Sequence, residues 1–256
     1  RNICVCIQDP EYWEGHMLKI DRLSIRFHST FVLQDITIEV NDRSIVCLLG
    51  NNGSGKSSVL NAISGGIDFS GIIEWDHENI SGLGPREIAQ RGIIHVLQGR
   101  RICPSLTVEE NLEIGTAAWR GFCGLRSIRS DYERVYSCFP ILYTRRRQMA
   151  WSLSEGEQQI LAIGRALMGR PKLLILDEPS HGLAPKMIET MFCQLTKLNN
   201  EEGISMLIAE QNARLSLEVA DYAYVLQRGK LLMENAAREL KHDKRIIYAY
   251  LHNYRA

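Results

Sequence analysis

The segment Gly50-Asn51-Asn52-Gly53-Ser54-Gly55-Lys56-Ser57 has the spacing G-x-x-x-x-G-K-S. Glycines so spaced let successive backbone N–H groups turn inward as an anion nest. A helix opening at Ser57-Ser58 adds unpaired donors and the positive end of a dipole. Lys56 then reaches the β- and γ-phosphates of a nucleotide, and the Ser57 hydroxyl takes a place on Mg²⁺. The bland reading, a Gly-rich turn between strand and helix, leaves the Lys-Ser pair without a purpose. The pattern predicts a site for a nucleoside triphosphate.

A second set of groups closes the run Leu173-Leu174-Ile175-Leu176, which ends in Asp177-Glu178-Pro179. Asp177 is suited to hold Mg²⁺ through its water shell. Glu178 is suited to accept a proton from water attacking the γ-phosphate, a role typically worth about 10²–10⁴-fold. Gln98 follows the strand-like run Gly92 to Leu97, where a polar side chain can reach the ion or the attacking water. The stretch Trp151-Ser152-Leu153-Ser154-Glu155-Gly156-Glu157 precedes apolar residues at helical spacing, Ile160, Ile163, Leu167 and Met168. Its N-terminus is either a further anion site or an ordinary capped helix. Phe27, beside the turn His28-Ser29-Thr30, is either a core residue or a flat surface on which a base stacks.

The elements that must carry these groups are legible as patterns. Ser44 to Leu49 and Leu173 to Leu176 are uninterrupted apolar runs, as in central parallel strands. Leu18 to Phe27 and Leu33 to Val40 read as strands, and in the second Ile36, Ile38 and Val40 alternate with polar residues, the mark of a sheet with one solvated face. Gly71 to Trp75, Ile204 to Ala209 and a hairpin turning at Arg228-Gly229-Lys230 add strands, and Lys186 to Leu198 adds a helix. Between residues 100 and 150 strand-like runs disappear. Thr107-Val108-Glu109-Glu110 and Ser130-Asp131-Tyr132-Glu133 read as capping boxes opening helices. Arg145-Arg146-Arg147 is either a solvated face or a contact for a partner protein. The expected fold is α/β: a RecA-like P-loop NTPase core with an antiparallel β flank and an inserted α-helical subdomain. Residues 17–98 and 154–256 form the core, 99–153 the helical subdomain, and 1–16 stay unassigned.

Bulk properties set limits. The 256 residues balance 30 Lys+Arg against 30 Asp+Glu, so charge offers no case for nucleic acid or an anionic membrane surface. No apolar run reaches the roughly 18 residues of a spanning helix. The seven cysteines form no C-x-x-C pair; Cys4 and Cys6 lack a second ligand pair for zinc, and free thiols suit a reducing cytosol. The stretch Arg1 to Gly15 does not read as a signal peptide.

Taken in order, these stretches resemble the ATP-binding subunits of ABC transporters over residues 18 to 251. The phosphate loop stands as Walker A and Leu173 to Asp177 as Walker B, with Glu178 as the catalytic-type Glu. Leu153 to Glu157 takes the place of the signature motif, Gln98 the Q-loop, and Ser180-His181-Gly182-Leu183 the D-loop. Gln211 stands at the switch position and Phe27 where the family has an adenine-stacking aromatic. The resemblance implies ATP and Mg²⁺ as ligands and a head-to-tail pair of such subunits, homotypic or mixed, with Ser154 and Gly156 of one facing the nucleotide of the other. It implies transmembrane permease subunits, a solute-binding protein, no nucleic acid, and a place at the cytoplasmic face of the inner membrane. Gly99-Arg100-Arg101, Leu106 to Leu112, Gly156 to Met168, Gly182-Leu183-Ala184-Pro185 and Glu210-Gln211-Asn212 are similar to the branched-chain amino-acid importer subfamily, a look shared by urea and short-amide importers.

The sequence departs from that pattern at Glu155, where the signature has Gly, at His181, where the subfamily has Leu, and at Leu97-Gln98, where it often has Pro-Glu. A carboxylate about 6 Å from a phosphate charge is repelled by about 3 kcal/mol at an effective dielectric near 20, and by under about 1 kcal/mol in water. The expectation is that Glu155 points outward. The leading function is an ATP-hydrolysing motor of an importer, driving branched-chain amino acids or a similar small polar solute through separate membrane subunits. The alternative is a nucleotide-gated subunit that dimerises but hydrolyses poorly because of Glu155. A soluble ABC ATPase acting on ribosomes or DNA is disfavoured by the lack of a tandem domain or a long coiled-coil insertion.

Overall fold

The computed structural model describes residues 16–99, 101–117 and 128–246. The readings of residues 1–15, with Cys4 and Cys6, of Arg100, and of the chain beyond 246 lie outside the described residues.

Two sheets build the molecule. Strands β1 (His16–Phe27), β2 (Thr30–Asn41), β4 (Ser70–Trp75) and β5 (Glu78–Asn79) form an antiparallel sheet in the order β2-β1-β4-β5. The larger sheet runs β10 (Lys230–Ala236), β9 (Tyr222–Gln227), β3 (Ile45–Leu49), β8 (Ser205–Glu210), β7 (Leu173–Asp177), β6 (Ile93–Val96). It is parallel from β9 to β6, and β10 is added antiparallel as the second arm of the expected hairpin.

The apolar runs of β3 and β7 explain why the larger sheet is buried on both faces. Successive strand side chains point to opposite sides. Ile45, Cys47 and Leu49 accordingly join one core with Leu174 and Leu176, while Val46 and Leu48 join the other with Leu173 and Ile175. The second core is closed by the antiparallel sheet, through Ile20, Ile36 and Ile38, and by α1 (Lys56–Ile63). The first is closed by α3 (Val108–Ile114), α6 (Glu155–Met168), α7 (Pro185–Glu202) and α8 (Ala213–Val219); α2 (Pro85–Gln90) precedes α3, and α4 (Arg129–Cys138) and α5 (Pro140–Thr144) lie between α3 and α6. The short helices α9 (Ala237–Leu240) and α10 (Lys244–Ile246) follow β10.

Thr107 forms the expected capping box: its Oγ1 accepts from the Glu110 N–H at 3.2 Å, and Glu110 Oε2 accepts from the Thr107 N–H at 2.8 Å. Ser130 does not. Helix α4 starts earlier, after Ile128, with no side-chain cap. The residues of the expected box have other partners. Glu133 accepts from Arg129 Nε at 2.9 Å, and buried Asp131 receives both Arg170 Nε at 2.9 Å and an Arg170 Nη at 2.8 Å. Nor is Arg145 part of a plain solvated face, since its Nε donates to Glu157 Oε1 at 2.7 Å, tying the Arg145–Arg147 turn to the first turn of α6.

Candidate functional site

The carboxyl ends of three neighbouring strands meet at one place. In register, Leu49 of β3 faces Glu210 of β8, and Asp177 of β7 faces Ala209. Parallel sheets leave a crevice beyond such ends, where loops from different strands converge on a ligand. The loop after β3 is Gly50–Gly55, and α1 begins directly behind it with Gly55 as N-cap at φ +108°. That φ suits glycine alone, and a Cβ there would stand 2.5 Å from Leu33 Cδ2. Gly53 also has positive φ, at +76°. A Cβ on Gly50 would lie 2.4 Å from Ser54 Oγ and 2.6 Å from the Leu226 carbonyl oxygen. The loop is braced from behind: the Gly229 N–H donates to the Ser54 carbonyl at 2.9 Å, and the Gln34 N–H donates to the Gly229 carbonyl at 2.8 Å. The β9–β10 turn thereby links the antiparallel sheet to the loop. Asn51, Asn52 and Gly53 are exposed, Ser57 and Ser58 half-buried.

Lys56 is buried, and its Nζ donates to the carbonyls of Gly50 at 2.8 Å and Asn51 at 3.3 Å. The same Nζ stands 3.0 Å from Glu178 Oε1. Glu178 has a left-handed backbone, φ +47°. Its second carboxylate oxygen accepts from Gln98 Nε2 at 2.9 Å and lies 3.8 Å from His181 Nδ1. Asp177 is buried beside this pair. Burial pushes its carboxyl above the ordinary carboxylate range, an effect opposed by the Ser57 hydroxyl. Two buried oxygens here, Asp177 Oδ1 and Ser54 Oγ, have no hydrogen-bond partner. Unpartnered buried oxygens in a polar crevice suit contact with an ion or a phosphate group.

The geometry brings Lys56, Ser57, Gln98, Asp177 and Glu178 together around the phosphate loop. Gln211 is near by chain connection: its backbone N–H donates to Glu210 Oε2 at 3.2 Å, and its exposed side chain lines an open cleft of about 1290 Å³ with Asn51, Glu178 and His181. Ser154 and Gly156 are not in the cluster. They open α6, where Ser154 Oγ accepts from the Glu157 N–H at 3.3 Å and Glu157 Oε2 accepts from the Ser154 N–H at 2.9 Å. Gly156 is buried against Met187, and Glu155 is exposed. Phe27 is 56 % exposed at the end of β1, so it is not a core residue. The sequence names Glu210 only within the run Glu210-Gln211-Asn212 and gives it no role of its own, although it closes an apolar strand as Asp177 does. That signal was available.

Among the described residues no three His, Cys, Asp or Glu side chains could hold a metal by themselves. A hard cation here would need nucleotide oxygens and water beside Ser57 and Asp177, the usual way Mg²⁺ is bound. The orphaned Asp177 Oδ1 fits such an ion. No helix among the described residues is long and apolar enough to cross a membrane.

The family described as ABC transporter matches residues 33–181. The chain is 40 % identical over 240 residues to the high-affinity branched-chain amino acid transport ATP-binding protein BraG of Pseudomonas aeruginosa, spanning 92 % of this chain and 99 % of that one. It superposes on a nucleotide-free ATP-binding cassette from an ABC transporter with TM-score 0.81 and 25 % identity, over 91 % of this chain and 98 % of that one. It superposes equally on the ADP conformation of MJ1267, an ATP-binding cassette of an ABC transporter, with TM-score 0.80 and 26 % identity, over 93 % and 99 %. The strand-end crevice, its phosphate loop and these likenesses agree: the chain belongs to the ABC transporter family, as an ATP-binding, ATP-hydrolysing subunit.

Proposed function

We propose that this subunit powers import of branched-chain amino acids through separate permease subunits. The observation that carries the hydrolytic part is the convergence of Lys56, Asp177 and Glu178 on one phosphate loop. The cargo assignment is supported by the 40 % identity to BraG over nearly the whole chain.

In this reading the backbone N–H groups from Gly50 to Lys56, with Asn51, Asn52, Gly53, Ser54, Gly55 and the Ser57-Ser58 helix start, cradle the phosphates, and Phe27 stacks on the adenine. Lys56 exchanges its contact with Glu178 for the terminal phosphates. Glu178, so released, takes the proton of the attacking water, while Gln98 and Gln211 orient that water and the departing phosphate. Ser57, Asp177 and Gln98 would hold Mg²⁺, which supplies charge neutralisation to the phosphate oxygens. Catalysis is mainly positioning and charge stabilisation.

Ser154 and Gly156 serve a second subunit's nucleotide, so two subunits pair head to tail. Exposure of Glu155 leaves the Ser154 hydroxyl and the α6 N-terminus able to meet phosphate, which favours the motor over a poorly hydrolysing gate. Residues 17–98 and 154–256 act as the nucleotide-binding core and 99–153 as the helical subdomain. The pair works at the cytoplasmic face of the membrane with permease subunits and a solute-binding protein, and needs no nucleic acid.

The test is uptake in vesicles carrying the subunit with the membrane proteins that co-purify with it. ATP-dependent accumulation of labelled leucine, isoleucine or valine, abolished by Glu178→Gln, is expected. Accumulation of urea or a short amide with none of the branched-chain amino acids would overturn the cargo; equal accumulation with Glu178→Gln would overturn the motor.

A further inference from the structure

Glu210, at the tip of β8, is one of the most deeply buried charged side chains among the described residues, at 2 % exposure. A carboxylate withdrawn from water is costly unless its lone pairs are used. Here both oxygens are used: Oε1 accepts from the Ser180 N–H at 2.8 Å and Oε2 from the Gln211 N–H at 3.2 Å. Its main-chain carbonyl accepts from the Gly50 N–H at 3.3 Å. One residue thus touches the phosphate loop, the turn after Glu178 and the switch position. Burial pushes its carboxyl up, and the hydrogen bonds from Ser180 oppose that.

The turn after Glu178 needs holding. Glu178 sits at φ +47°, a conformation that residues with side chains adopt only when their surroundings impose it. Its own N–H donates to the Ala209 carbonyl at 2.9 Å, and two residues on Ser180 is held by Glu210. The strained residue is therefore bracketed by consecutive residues of one strand end.

We propose that Glu210 is a positioning residue for hydrolysis: it clamps the chain reversal after Glu178, keeps that carboxylate aimed at the phosphate loop, and joins its position to Gln211. The proposal rests on the reading of Glu178 as the base. Side-chain reach to the Ser180 N–H, rather than charge, decides the clamp. Glu210→Gln keeps the reach and an oxygen for the Ser180 N–H while giving up the weaker acceptor for the Gln211 N–H; Glu210→Asp keeps the charge and is one methylene too short.

Steady-state ATP turnover of the full chain with its co-purifying membrane subunits is the test, run below each variant's unfolding midpoint. Glu210→Gln is expected to lose kcat by about fivefold at most and Glu210→Asp by about twentyfold or more, with KM for ATP within about threefold in both. Asp retaining more turnover than Gln, both variants matching wild type, or a loss carried by KM alone would overturn the clamp. Glu178→Gln, measured alongside, separates the two claims. If it is silent while both Glu210 variants run at the wild-type rate, only the clamp falls. If it turns over at the wild-type rate, the base reading falls and the clamp with it.

Discussion

Lys56 Nζ and Glu178 Oε1 stand 3.0 Å apart with both side chains almost wholly out of water. The cation expected to meet the γ-phosphate is thus paired with the carboxylate expected to activate water. Such a pair contributes little net stability, but removing one partner strands a buried charge, at a cost of about 3–5 kcal/mol. Lys56→Met should lower stability by an amount approaching that range, and adding Glu178→Gln should recover at least about 1 kcal/mol. Urea unfolding of wild type, both single variants and the double variant measures the coupling. Additive losses would show that the ion pair does not govern stability.

Where α3 ends, Gly115 lies against α6 so closely that a Cβ would stand 2.0 Å from the Arg165 carbonyl oxygen and 2.9 Å from Met168 Cβ. Backbone cannot step aside as a long side chain can. Gly115→Ala should destabilise the chain by about 1–3 kcal/mol through overpacking. Gly156→Ala, whose Cβ would meet the flexible end of Met187, should cost less. Thermal midpoints of the two variants check the order; the reverse ranking would contradict the packing.

At the start of α6, Ser154 caps the helix and Glu155 faces outward. Ser154→Ala should cost about 1 kcal/mol of stability from the lost cap, and also lower turnover of the assembled pair if the hydroxyl meets a phosphate. Glu155→Gly should leave turnover within about threefold, because an exposed charge is screened by water. A tenfold or greater rise in the Glu155→Gly rate, read by phosphate release, would instead favour the poorly hydrolysing gate.

His95, on β6, places its Nδ1 3.0 Å from Ser64 Oγ, and burial pushes its pKa down from 6.5 to about 4. The unfolded chain therefore takes up a proton near pH 6.5 that the folded chain refuses until about pH 4. Stability falls as pH drops through that window, by about 3 kcal/mol in all, and levels off below it. Asp177, Glu210 and Asp221, whose carboxyls burial raises, act with the opposite sign in acid, so the difference between wild type and His95→Gln is the quantity to read. Unfolding by urea at about pH 7.5 and about pH 5 should show wild type losing more than His95→Gln; parallel losses would contradict the assignment.

What the sequence made legible was whatever local pattern controls. The apolar runs of β3 and β7 stood out because strands buried on both faces need no alternation, and the glycine spacing announced the loop between β3 and α1. Tertiary competition was invisible. Ser130 looked like a cap, but Arg170 claims Asp131 and the helix begins before it. The loop and the acid pair could each be named, whereas the contact of Lys56 with Glu178 follows from β8 lying between β3 and β7. No local pattern encodes that order. The same order brings Glu210 beside Ser180, which is why its role emerged only from the folded chain.

The central claim is that ATP lies between the phosphate loop and the acids at the tip of β7. Equilibrium titration of the full chain with labelled Mg-ATP tests it most directly. The account predicts saturable uptake at one site per chain, lost in Lys56→Ala and kept in Glu178→Gln. Absence of uptake by the wild-type chain, or undiminished uptake by Lys56→Ala, would contradict it.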